Sequence, residues 1–193
     1  MLKNSATHYG SVARTLHWLT AVLFLLAYIV VYYRQWFTEA RTPENWTALQ
    51  LHLSFGVTIA VLVILRVYWR LTNPQPQPEP GSALMHKAAH FGHLALYAVL
   101  IIMPLTGYLG TGVATEYFFL FDIPKFEDTW LFQTLVANTM GLSFEQFEAP
   151  MDFIHKEGGA YLVWVLILGH AAAALYHHFK LKDRTLQKML RPK

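Results

Sequence analysis

The chain has 193 residues and no cysteine, which excludes disulfides and every thiolate metal site. With 54% apolar and 14% charged residues, the apolar ones gathered in blocks of about 20, it reads as a bilayer-spanning protein rather than a soluble domain. Its net charge of +3 is modest and unevenly distributed, the ordinary pattern of a membrane protein rather than a nucleic-acid binder.

Residues 1–14 lack the short apolar core and small-residue cleavage site of a removable leader, so the first apolar segment is expected to stay in the mature protein. Four spans are predicted, over residues 14–33, 49–71, 85–110 and 155–179, forming an all-α, integral-membrane four-helix bundle in a single domain, 1–193. Between the second and third, Asn73 to Gly81 alternates proline and cannot be helical, so a short stiff connector is expected. Residues 112–154 form the long loop, in which Trp130–Met140 and Phe144–Phe153 read as short amphipathic helices suited to the membrane interface.

Charge sets the expected orientation. Lys3, Arg14, Arg66, Arg70, Lys87 and the tail residues Lys180, Lys182, Arg184, Lys188, Arg191 and Lys193 all fall on one side, which the positive-inside rule makes cytoplasmic, with both termini. The long loop carries seven acidic residues against Lys125 alone, a net of −6, and belongs outside.

Histidines inside the spans carry the chemistry, because an ionisable group in hydrocarbon is expensive and tends to be functional. His17, His52, His155 and His170 are each followed four residues later by a small residue, Ala21, Gly56, Gly159 and Ala174, beside which a flat macrocycle can lie. Neutral imidazoles facing each other across a helix bundle ligate haem iron. His155 and His170 share the last span and stand about 22 Å apart along it. By depth, His52 therefore pairs with His155 in an outer layer and His17 with His170 in an inner one. Two b-type haems per chain are expected, with His17, His52, His155 and His170 as the iron ligands. His90 and His93 compete with His17 for the inner iron, although Leu94 and Tyr97 would crowd a macrocycle there. His8, His86 and His178 lie near span ends and read as solvated or hydrogen-bonded. Arg14, Arg66, Arg70 and Lys87 inside, and Arg34, Arg41 and Lys156 outside, are available to haem propionates.

Leu16-His17-Trp18, Leu51-His52 with Gly56, Arg66-Val67-Tyr68-Trp69-Arg70, His90-Phe91-Gly92-His93-Leu94 with Pro104 and Gly107, and His155 with the run from His170 to His178 together resemble the bacterial cytochrome b561 family over essentially the whole chain. The resemblance implies two haem b groups at His17, His52, His155 and His170, residence in the bacterial inner membrane as a multi-pass protein, and electron exchange with membrane quinone at a site that includes His177. It also implies fourteen steps between the ligands of the last span, whereas His155 and His170 are separated by fifteen. A π-bulge, or an irregular start at Gly158-Gly159, would absorb the extra residue.

Two functions are compatible with these features. One is a conduit between a periplasmic redox partner and quinone. The other is a superoxide oxidase, an activity found among relatives of the family, for which Arg34, Arg41 and Lys156 would have to draw an anion past the acidic loop. A transporter or channel is disfavoured because acidic and polar residues suited to an ion path are scarce in the spans.

Overall fold

A computed structural model describes residues 1–190; Arg191 and Lys193 of the basic tail lie outside the described residues. Among the described residues four helices are long and apolar enough to cross a membrane. The first, α1 (Ser11–Phe37), starts at Gly10, whose N–H is taken by the Asn4 side chain at 2.9 Å. The second, α2 (Pro43–Thr72), opens with Thr42 accepting the Asn45 N–H and Pro43 in the first turn, and it stops where Asn73-Pro74 begins the connector. Ser82 caps α3 (Ala83–Leu109), which runs on through Pro104.

The fourth crossing is longer than the sequence implied. A capping box between Ser143 and Gln146 starts α4 (Phe144–Glu157), which passes without a break through a π turn, Gly158–Leu162, into α5 (Val163–Tyr176) and a second π turn, His177–Leu181. Residues 144–153 are therefore the start of this element, and the expectation of a separate interfacial helix is corrected. The reason is local: no proline or left-handed residue interrupts the chain between Pro150 and Lys182. The other segment expected to be an amphipathic helix is π-helical over Phe132–Thr139 and packs Phe132 and Val136 with Phe126 into a small core against Tyr108, Phe144 and Phe147. After Asp183, α6 (Thr185–Leu190) closes the described chain.

One feature departs from all-α. Strands β1 (Thr115–Tyr117) and β2 (Phe121–Ile123) pair antiparallel with Glu116 opposite Asp122. Their turn places Phe118 and Phe119 at φ 46° and 61°, with the Leu120 N–H donating to the Tyr117 carbonyl at 3.0 Å. Such turns normally use Asn-Gly, and an L-residue in the left-handed region costs roughly 1–2 kcal/mol, so no local signal announced the hairpin. Side chains on α2 hold it. Buried Gln50 accepts the Glu116 N–H at 2.8 Å and donates to the Ala114 carbonyl at 3.1 Å; Ser54 Oγ accepts the Phe118 N–H at 2.9 Å; Thr58 Oγ1 meets the Tyr117 hydroxyl at 3.1 Å. Residues 50, 54 and 58 share one helical face.

The interior is small: Ala27, Ile59 and Val63 form one cluster, and Val99, Met103 and Val163 another. Large apolar side chains such as Leu25, Ile29, Ile64, Ile101, Val165 and Leu168 point outward, the inverse of a water-soluble protein and the arrangement lipid requires. At the end opposite the hairpin the N-terminal segment, the proline connector and α6 come together. Asn4 donates to the Pro74 carbonyl, Gln77 N–H to the Ala6 carbonyl, Trp18 Nε1 to the Met189 carbonyl, and Lys188 bridges Glu79 at 2.6 Å.

Replacing Gln50 by Leu leaves the Glu116 N–H and the Ala114 carbonyl without their partner, a penalty of roughly 1–3 kcal/mol for each group that stays buried. The expected outcome is faster proteolytic cleavage within residues 111–124 of the detergent-solubilised protein, with the helical circular dichroism unchanged.

Candidate functional site

Near the hairpin end, His52 on α2 and His155 on α4 face each other with ring centroids 6.0 Å apart. Each ring is fixed by its other nitrogen: His52 Nδ1 lies 3.0 Å from the Ala27 carbonyl of α1 and His155 Nδ1 lies 2.9 Å from the Met103 carbonyl of α3. A carbonyl only accepts, so both Nδ1 atoms carry the proton and both Nε2 lone pairs are left for a metal, the arrangement typical of metal-binding histidines. Two imidazoles bound on opposite sides of one ion, with bonds of about 2 Å, have ring centroids about 6.3 Å apart, so this pair is spaced for an axially ligated macrocycle.

The flanks differ. Beside Gly56 nothing lies within 4 Å of where a β-carbon would stand, as a macrocycle face requires. Beside Gly159 the Met103 methyl and the Tyr28 hydroxyl already fill the corresponding space, at 3.3 and 3.8 Å. That glycine instead permits close helix contact, and Tyr28 donates to its carbonyl at 2.6 Å. A third glycine matters more for His155 than either: a β-carbon on Gly107 would lie 2.8 Å from His155 Cε1.

The fifteen-step separation is accommodated where the glycines sit. Gly158–Leu162 forms the π turn, in which the helix takes an extra residue per turn. In a regular helix fifteen steps turn His170 about 60° away from His155; the wide turn takes up the added residue, and both imidazoles point into the bundle. Tyr28 bonded to Gly159, and Trp164 Nε1 bonded to the Tyr32 hydroxyl at 2.8 Å, brace the turn from α1.

Toward the termini end three imidazoles converge. His170 lies between His17 at 6.2 Å and His93 at 5.6 Å, centroid to centroid. The pairing expected by depth is thus present, and the competition from His93 is present too; among the described residues His90 makes its ring contact with its neighbour Phe91. The 6.2 Å spacing suits two opposed ligands of one ion better than 5.6 Å. His17 differs from the other layer's histidines in that its Nδ1 faces the Arg66 guanidinium at 3.3 Å, a group that can only donate. Arg66 and Arg70 both stack on Tyr97, with centroid distances of 5.6 and 5.3 Å.

Anion-binding groups are divided unequally between the two ends. Among the described residues, buried Arg14 Nε, Trp69 Nε1 and His178 Nδ1 have no hydrogen-bond partner, and the first two are donors suited to an acidic group at the termini end. His178, expected to be solvated, has this nitrogen buried instead. At the hairpin end Arg34 is engaged by Asn45 and Lys156 by Asp152. His8 bonds Arg184 at 2.6 Å. His177 lies in the second π turn with its Nδ1 at 2.5 Å from Asp183 Oδ2, a partner that sequence reasoning missed because Asp183 sits in the charged tail.

A methyl added at Gly107 must displace the His155 ring. Gly107→Ala is therefore expected to lower haem content, checked by pyridine haemochrome content against protein.

The sequence pattern of prokaryotic cytochrome b561 matches residues 8–192. Cytochrome b561 homolog 2 of Escherichia coli K12 is 33% identical over an alignment covering 97% of this chain and 93% of the relative. Cytochrome b561 homolog 1 of the same organism is 27% identical, covering 91% and 92%. A probable superoxide oxidase, CybB, of Yersinia pestis is 28% identical, covering 94% and 95%. With near-complete coverage, four apolar helices and paired imidazoles within them, the chain belongs to the prokaryotic cytochrome b561 family of membrane electron-transfer cytochromes.

Proposed function

We propose that this protein is a single-domain, dihaem b-type cytochrome of the bacterial inner membrane that carries electrons between a partner at the outer face and membrane quinone. The observation that carries the reading is the pair of facing imidazole couples, His52 with His155 and His17 with His170, one in each half of the bundle and sharing one helix element. A bound b-type haem supplies one-electron exchange at its iron. The chain's own residues would hold and orient it: Ala27 and Met103 set the tautomers of His52 and His155, and Arg14, whose buried Nε has no partner, is suited to a propionate of a haem at the termini end. Charge supports the orientation, with the basic termini end cytoplasmic and the acidic 112–154 segment outside. His177, seven residues beyond His170 and on nearly the same face, is the residue proposed to meet quinone at the cytoplasmic rim.

The second reading is a superoxide oxidase that passes electrons to quinone, favoured by the name of the Yersinia relative. Against it stand the acidic outer segment and the prior engagement of Arg34 and Lys156. The electron-carrier reading therefore comes first.

His170→Ala is expected to remove the cytoplasmic-side haem and leave the other, giving about one haem per chain instead of two. Two haems retained in that variant would transfer the ligand role to His93. The choice of donor is read from stopped-flow reduction by a superoxide source: a donor steered by charge reduces the oxidised protein fast and slows as salt rises. The outcome expected for a conduit serving a periplasmic redox protein is slow, salt-insensitive reduction.

A further inference from the structure

The fourth crossing ends in the π turn His177–Leu181, after which Lys182 adopts a left-handed conformation, φ 55°, and turns the chain back. Both carboxylate oxygens of Asp183 are engaged, one on each side of this reversal. Its Oδ1 accepts the Thr185 N–H at 2.8 Å, which starts α6, and its Oδ2 lies 2.5 Å from His177 Nδ1; the Thr185 hydroxyl is 3.3 Å from the same nitrogen. The Asp183 N–H closes the loop by donating to the His177 carbonyl at 3.2 Å. Arg184, its neighbour in the chain, turns to His8 instead, and among the described residues His177 is the ion-pair partner of Asp183. The segment is clamped from outside by Trp18 on Met189 and by Lys188 on Glu79. Burial alone would raise the Asp183 carboxyl, but hydrogen bonds from His177 and Thr185 outweigh it and hold the group below its ordinary value, so it is a carboxylate at neutral pH.

A carboxylate only accepts hydrogen bonds, so the proton between the two groups belongs to Nδ1, and Nε2 is the nitrogen that can take up and give back another. We propose that Asp183 is a positioning residue for proton-coupled quinone chemistry: it fixes the Nδ1–H form of His177 and supplies the counter-charge when Nε2 is protonated. The inference rests on the reading that quinone reacts at this end of the chain, and it adds the source of the proton. Reducing a quinone to a quinol takes two electrons, which a b-type haem held at this end would supply one at a time, and two protons. Each proton passes from the imidazolium Nε2 to a quinone oxygen, so that an N–H bond breaks and an O–H bond forms. His177 returns to neutral, Asp183 remains a carboxylate, and water at the membrane surface reprotonates Nε2 before the second transfer. Neutral His177 held in this way offers no N–H to quinone, so the donor is the imidazolium.

Asp183→Asn separates this role from a merely structural one, because asparagine caps a helix as well as aspartate and still accepts from Nδ1–H, but carries no charge. In the full-length haem-loaded protein, KM for a soluble quinone analogue is expected to stay within about twofold while kcat falls about tenfold or more and the solvent deuterium isotope effect on kcat rises. Asp183→Glu is expected to recover part of kcat. Imidazole ¹⁵N spectra of the wild-type protein, with His177 assigned through His177→Gln, are expected to show the Nδ1-protonated form. Wild-type kcat and isotope effect in Asp183→Asn, beside slow turnover in His177→Ala, would overturn the role of Asp183 and leave the quinone reading standing. Wild-type turnover in His177→Ala would overturn that reading as well. If Asp183→Asn loses haem or fails to fold, the wild-type spectrum decides alone, an Nε2-protonated neutral ring overturning the proposal.

Discussion

Two hydrogen bonds from imidazole to helical carbonyls, His52 to Ala27 and His155 to Met103, organise one half of the bundle. Each couples a histidine-bearing helix to a neighbour, α2 to α1 and α4 to α3, in a setting where apolar burial contributes little because lipid is as apolar as leucine. An imidazole in hydrocarbon must satisfy its N–H, and a carbonyl already engaged within its helix retains a second lone pair to do so. Helix spacing and metal-ready geometry thus have a common cause. Close approach then depends on residues that make room: Gly107 for the His155 ring, and Gly158 and Gly159 for Met103.

The two halves are built differently. In one, backbone carbonyls set both rings and the counter-groups are already paired. In the other, His17, His93 and His170 crowd together beside Arg66, and among the described residues the buried N–H groups of Arg14 Nε and Trp69 Nε1 have no acceptor. The arginine-rich end is also where the N-terminal segment, the proline connector and α6 interlock, so the polar groups that suit an acidic ligand are held beside these cross-links.

Much of this was legible in the sequence, for physical reasons. Span number follows from the length of apolar blocks, and the pairing of His52 with His155 and His17 with His170 follows from helical rise applied to alternating directions. The irregularity at Gly158-Gly159 was expected from the resemblance alone, which implies fourteen steps where His155 and His170 stand fifteen apart. Other features left no local trace. The hairpin rests on Gln50, Ser54 and Thr58, which read as stray polar residues in an apolar span, and its turn uses two phenylalanines where asparagine and glycine are usual. The unbroken run from Phe144 was hidden because its first turns are acidic and amphipathic and so read as a separate helix at the membrane interface. Asp183 was one charge among many in a basic tail, and only the reversal of the chain at Lys182 brings it to His177.

The π turn at Gly158–Leu162 also says how this helix tolerates change in length. Residues on its amino-terminal side carry one imidazole and those on its carboxy-terminal side another, and the wide turn lies between them as a phase adjuster. A residue lost inside the turn would convert it to ordinary α-helix with both imidazoles still facing inward. The same loss between Val163 and His170 would rotate His170 by about 100° out of its layer. Length variation in such a helix is thus confined to one short window beside the paired glycines, and everything after it keeps its phase.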